Sequence, residues 1–183
     1  MPIYISMLRG INVGGNRKIR MDELRALYES LGMGGPQTLL QSGNIVFHSE
    51  LADRPALVRR LEEGIEQRFG FHSDILLRTL DELRAVIHRN PLSAEHVDPS
   101  KRVVMFLSGS PTQDAIDDLV KSYAGLETIQ ITGQEAYLYY PDGLGRSKLT
   151  NAFIERKLNV SGTARNWNTV TRLLDLTERF EVP

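Results

Sequence analysis

The chain has 183 residues, with 22 Lys and Arg against 23 Asp and Glu, for a formal net charge of −1. At 41% hydrophobic and 25% charged residues the composition is that of a globular protein, and a chain of this length buries roughly 70% of its unfolded surface without help from a metal or disulfide. The absence of cysteine excludes disulfides, thiolate nucleophiles and sulfur-ligated zinc or iron–sulfur sites. The longest apolar run, residues 103–107, falls far short of the ~20 residues that span a bilayer. Residues 1–8 lack the basic leader and cleavage site of a secretory signal, so a cytoplasmic protein without membrane contact is expected.

Residues 3–8 read IYISML, a β-rich run that stops at a glycine-rich polar loop over 9–16. Met21, Leu24, Leu27, Tyr28 and Leu31 then recur at three and four. Asp22 and Glu23 suit the positive end of a helix, and Gly32 can close it in a left-handed conformation. Strands are expected at 37–41 and 45–48, joined by Ser42-Gly43-Asn44, whose residues supply positive φ and side-chain caps to a hairpin. Asp53 and Pro55 open a second helix with Leu57, Val58, Leu61 and Ile65 in one stripe, ending near Gly70. Residues 73–78 close the unit as a strand. This β-α-β-β-α-β order is the split βαβ pattern of a ferredoxin-like sandwich.

Thr79 and Glu82 match a capping box that opens a short helix, broken at Asn90-Pro91. Residues 90–100, with two prolines and no periodicity, are expected as an exposed linker. The cycle then repeats as strand 102–107, a helix from Ser110-Pro111 carrying Ile116, Leu119 and Val120 inward, and strands 127–131 and 136–140 joined by Thr132-Gly133-Gln134. That turn stands where Ser42-Gly43-Asn44 stood, which supports a duplicated fold. The second copy is expected to end differently, in a helix over 148–158, a short segment 163–165 and a last helix with Trp167, Val170, Leu173 and Leu174 on one side. The expected fold class is therefore α+β, with two ferredoxin-like halves built on antiparallel sheets and an extra C-terminal helix. The division is 1–78, a helix and linker over 79–101, and 102–183.

The near-zero net charge hides an uneven distribution. Residues 9–20 hold Arg9, Arg17, Lys18 and Arg20 with no acid, and residues 143–172 hold six cations against Glu155 alone, leaving the rest of the chain strongly acidic. Local potential, not net charge, attracts a ligand, although two unrelated solvated faces would give the same pattern. The first loop, RGINVGGN, follows a strand and precedes a helix, where backbone N–H groups can cradle a phosphate. Its glycine spacing fits neither the dinucleotide fingerprint nor the Walker loop, and its glycines also suit a wide bend. The second, DGLGRSKLT, leaves a strand on two glycines, with Ser147 placed to cap the next helix and Arg146 and Lys148 beside the free N–H groups. Cations there oppose the helix dipole unless an anion answers them.

In Arg165-Asn166-Trp167-Asn168-Thr169 the single tryptophan reads as a core anchor with capping neighbours. Alternatively, Arg165 forks onto a phosphate or carboxylate and the amides read a polar ligand. The histidines at 48, 72, 88 and 96 form no i, i+4 pair and have no acidic partner at metal spacing, so neither a metal nor a cofactor is expected. Ser42 lacks the G-x-S-x-G context of a nucleophile elbow. Tyr137 and Tyr139 share one face of a strand and Leu138 and Tyr140 the other, either as a stacking platform for bases or as packing under a helix.

Taken in order, LRGINVGG at 8–15, QSGN at 41–44, Asn90-Pro91, GRSKLT at 145–150 and TARNWNT at 163–169 resemble the signature of a large bacterial domain-of-unknown-function family. The resemblance runs over nearly the whole chain. It implies an α+β protein of two ferredoxin-like halves without an established activity, and it marks Arg9, Asn12, Lys18, Gln41, Ser42, Asn44, Ser147, Lys148, Thr150, Arg165 and Asn166 as motif polar residues. With Arg146 these are the candidate ligand-binding residues. No catalytic constellation is present.

The expected function is binding of a phosphate-bearing ligand, a nucleotide or a nucleic-acid end, in a basic cleft between the halves. The loops at 9–20 and 143–150 would face that cleft, with Arg165 nearby. The alternatives are a protein–protein interaction module that docks an acidic partner and a single-stranded nucleic-acid binder.

Overall fold

In the first half, β1 (Ile3–Leu8) pairs antiparallel with β3 (Asn44–His48) on one edge and β4 (Ile75–Thr79) on the other. Strand β2 (Gly34–Leu39) adds to β3, which gives the order β2-β3-β1-β4. Alternation along β1 sends Tyr4 and Leu8 to one face, where they meet Leu24 and Tyr28 of α1 (Met21–Ser30) and Leu57, Leu61 and Ile65 of α2 (Arg54–Phe69) in one core. Burying a tyrosine requires a partner for its hydroxyl. Tyr28 finds one in Ser6 Oγ, 2.9 Å away, while its ring meets Phe47 edge-on at 5.3 Å. Burial pushes the Tyr28 phenol far above its ordinary range.

The same plan recurs in the second half. β5 (Arg102–Leu107) lies between β7 (Glu135–Tyr139) and β8 (Gly162–Asn166), and β6 (Thr128–Thr132) pairs with β7 in the order β6-β7-β5-β8. The core joins Val103, Met105, Leu107, Leu138 and Tyr140 to Leu119 of α4 (Gln113–Ser122) and to Ile154 and Leu158 of α5 (Asn151–Leu158). Arg78 stands opposite Ile5 in the first sheet and Arg165 opposite Val104 in the second, the same place in both registers. The fold is thus α+β, two ferredoxin-like βαββαβ halves, each followed by a helix: α3 (Leu80–His88) and α6 (Trp167–Glu181).

The computed structural model describes residues 1–92 and 98–181. It divides into two units, residues 1–84 together with those from 173 onward, and residues 85–172. The linker expected at 90–100 lies partly outside the described residues; within them, Asn90 is buried and residues 98–100 are exposed. No described helix is long and apolar enough to cross a membrane.

Several local expectations are corrected. The second half does not end differently: the short segment at 163–165 is the middle of β8, which completes the sheet. Helix α5 begins at Asn151, not at Lys148, because Thr150 and not Ser147 caps it, its hydroxyl accepting from Phe153 N at 3.2 Å. Residues Leu144–Arg146 instead form a 3-10 turn. Likewise Thr112 caps α4 in place of Ser110, and Val120 lies on its wet side, 52% exposed. Strand β2 starts at Gly34 rather than residue 37, with a register shift between Gly34 and Gln37 around Pro36, which has no N–H to give. The capping box holds in full: Thr79 N donates to Glu82 Oε2 at 2.8 Å and Glu82 N to Thr79 Oγ1 at 3.2 Å.

The equivalent hairpin turns differ in how tightly they are enclosed. Gly43 has φ 74°, and a Cβ there would stand 2.7 Å from Ile11 Cδ1 and 2.9 Å from Leu8 Cβ. Gly133 has φ 60° with nothing within 4 Å of such an atom. Gly43→Ala should therefore lower stability by roughly 2–4 kcal/mol, through both strain and overpacking. Gly133→Ala should lower it by about 1–2 kcal/mol, from strain alone. Urea denaturation of the two variants measures the difference, and equal losses would contradict the packing argument.

Candidate functional site

In the first unit, the loop after β1 is closed by Asn12, which adopts φ 55°. Its Nδ2 donates to Ile19 O at 3.0 Å and Gln41 O at 2.7 Å, and its Oδ1 accepts from Ile19 N at 2.9 Å. Asn12 therefore ties the loop to the β2–β3 turn. Asn44 holds that turn from inside, donating to Leu39 O at 2.9 Å and Ser42 Oγ at 2.8 Å. Arg9 faces away toward Asp74, 3.4 Å from NH1 to Oδ2. The arrangement leaves a groove of about 560 Å³, lined by Asn12, Gly15, Lys18, Ile19, Arg20, Glu23 and Gln41. Arg20 forks onto Asp22 at 3.1 and 2.6 Å, whereas the Lys18 ammonium has no ion pair or hydrogen bond among the described residues.

In the second unit, the Tyr140 hydroxyl donates to Leu149 O at 3.0 Å and so fastens the chain ahead of α5 to the core. Just upstream, Ser147 Oγ accepts from Leu149 N at 3.0 Å and donates to Glu127 Oε1 in a short bond. Tyr123 donates to the other oxygen of Glu127 at 2.5 Å. These two hydroxyls, Ser147 first, hold the Glu127 carboxyl below the usual carboxylate range. Burial and the bond to Glu127 push the Tyr123 phenol up. Around this trio is a groove of 540 Å³ whose walls include Phe153, Arg146 and Lys148. Arg146 and Lys148 are exposed, and their side chains make no ion pair or hydrogen bond among the described residues.

The candidate residues therefore gather in two places. Asn12, Lys18 and Gln41 share the first groove, and Arg146, Ser147 and Lys148 share the second. Ser42 and Asn44 build a turn, and Thr150 is a helix cap. Arg165 is buried, with NH1 donating to Thr163 Oγ1 at 2.7 Å and Ala164 O at 2.9 Å; burial lowers its pKa to about 10, so it stays cationic at neutral pH. Asn166 donates to Ser100 O at 2.8 Å and caps α6 through Asn168 N at 2.9 Å, beside a cavity of 100 Å³. Trp167 takes the Arg102 guanidinium over its ring at 5.4 Å. Tyr137 is buried, its hydroxyl donating to Val86 O at 2.8 Å, and so offers bases no face beside the half-buried Tyr139.

Sequence reasoning missed Tyr123 and Glu127, which sit between α4 and β6 without a periodic pattern and meet Ser147 only through the fold. It also missed that Glu62, His72 and Asp74 bring ligand-type atoms within 4.8 Å of one another, because Glu62 arrives from α2.

Two βαββαβ halves with polar grooves on their loops define a duplicated ferredoxin-like α+β protein. The chain belongs to the family described as "Protein of unknown function (DUF1697)", whose model matches residues 1–137. Among solved structures it is similar to the conserved bacterial protein SP0830 from Streptococcus pneumoniae, at 22% sequence identity and a TM-score of 0.77, covering 97% of this chain and 99% of that one. At that identity the likeness shows the fold. No curated protein matches the sequence.

A glutamate whose folded pKa is depressed adds stability that is present above its unfolded pKa and is lost as pH falls through the lowered value. The carboxyl of Glu127, followed by NMR, should titrate below that of a free glutamate and move up toward it in Ser147→Ala. An unchanged titration in that variant would show that the Ser147 hydroxyl is not what holds the carboxylate.

Proposed function

We propose that this protein binds a phosphate-bearing small molecule, a nucleotide or a sugar phosphate, in the groove of the second unit. The observation that carries the reading is the pair of unanswered cations, Arg146 and Lys148, on a groove that also presents Tyr123, Ser147 and Glu127. A guanidinium offers a planar fork to phosphate oxygens and an ammonium a compact charge. Glu127 has lone pairs beyond those taken by Ser147 and Tyr123, so it can accept from a ligand hydroxyl. Phe153, whose ring lies 6.0 Å from that of Tyr123, supplies an apolar wall. In the first unit, Lys18 beside Gly15 offers a second anion contact, with one such cation in place of two.

Docking of an acidic protein partner is the second reading, favoured by Leu126 and Leu144, which are 79% and 47% exposed and stand one residue before Glu127 and two before Arg146 in sequence. A thermal-shift series with inorganic phosphate, nucleoside mono-, di- and triphosphates and sugar phosphates separates the two. A stabilising compound identifies the ligand class, because a ligand bound by the native state raises the melting temperature. Lys148→Ala should weaken that compound's binding by about 1–3 kcal/mol through loss of a charge-assisted hydrogen bond, while the variant's own melting temperature stays close to wild type. No shift with any phosphate compound would remove this reading and leave the acidic partner.

A further inference from the structure

The geometry points to a divalent-cation site in the first unit formed by Glu62, His72 and Asp74, with zinc bound more tightly than manganese. One imidazole nitrogen and two carboxylates are a donor set that suits first-row divalent metals. Their ligand atoms lie within 4.8 Å of one another, and His72 Nε2 is 3.0 Å from Asp74 Oδ1. Around a tetrahedral zinc with bonds of 2.0–2.2 Å, ligand atoms stand about 3.4 Å apart, so small side-chain rotations complete the cluster.

The supports behind these groups are already in place. Glu62 projects from α2 and its Oε1 accepts from Ile75 N at 2.9 Å, which fixes the carboxylate plane. Asp74 presents Oδ1 to His72 while its Oδ2 faces Arg9 NH1 at 3.4 Å, so one oxygen can turn to a metal while the other stays on the guanidinium. The backbone is pinned as well, with Arg9 N donating to Asp74 O and Ser73 Oγ to Arg9 O, each at 2.9 Å. Hydrogen-bonded outer partners of this kind orient metal ligands and raise their affinity. The His72 and Asp74 side chains are 52% and 37% exposed, which gives an ion a path in and leaves the fourth tetrahedral position for a water or a ligand oxygen. This proposal stands apart from the phosphate reading, which is carried by Arg146 and Lys148 of the other unit.

Calorimetric titration of chelator-treated full-length protein with zinc chloride, and separately with manganese chloride, tests it. Wild type should take up one zinc per chain, and His72→Ala and Glu62→Gln should each weaken binding at least tenfold, whereas His88→Ala should not. Melting curves in the presence of chelator check that the variants are folded. His72 is half exposed, so should Glu62→Gln fail to fold, His72→Ala decides the matter. Absence of zinc binding by wild type at millimolar metal, or wild-type affinity in a folded His72→Ala or Glu62→Gln variant, would overturn the site.

Discussion

Each sheet is organised around a central strand that is buried on both faces. In β1 every residue from Tyr4 to Leu8 is buried, and in β5 all six are. Such a strand must be nearly all apolar and must be hydrogen-bonded along both edges, because a buried N–H or C=O without a partner is costly. The chain leaving its end is therefore anchored before it becomes a loop. Leu8 N donates to Gly43 O and Arg9 N to Asp74 O in the first unit, and Leu107 N to Gln134 O and Ser108 N to Ser161 O at the corresponding places in the second. The polar residues beyond these points start from a rigid base, which is how loops come to hold side chains in defined positions.

What could be read from the chain follows from this. IYISML and RVVMFL announce their burial in their composition, and the stripes of α1 and α2 announce their inward faces, so the order of elements was legible. Boundaries failed where two residues offered the same local chemistry. Ser147 and Thr150 are both good caps, and the choice between them depends on Glu127, which claims the Ser147 hydroxyl from twenty residues away. Arg146, Ser147 and Lys148 were legible as a site because they are neighbours in sequence. Glu127 and Tyr123 were not, since nothing local marks a coil residue that becomes a wall of a groove. Asn12 was legible as important, but the loop needs it for its own closure: all three of its side-chain hydrogen bonds go to backbone groups.

The charge pattern gains meaning in the same way. Within the two basic segments, Arg9 is answered by Asp74, Arg20 by Asp22 and Lys157 by Asp118, so part of the basic character read from the sequence is neutralised at short range. Charges answered within the chain contribute little to the field felt by a ligand. What matters for a ligand is the cations that line the grooves without an ion pair among the described residues, Lys18 in one and Arg146 and Lys148 in the other.

The arginines at matching positions of β4 and β8 have a bearing on how the chain reaches this state. Side chains alternate across a strand, so a slip of one residue in pairing would carry Arg78 or Arg165 from its present face to the one lined by Leu77 or Ala164, into the core beneath the helices. An unpaired guanidinium there is prohibitively costly. A misaligned pairing is thereby penalised, and the edge strand that comes last in sequence in each sheet carries the residue that fixes its register.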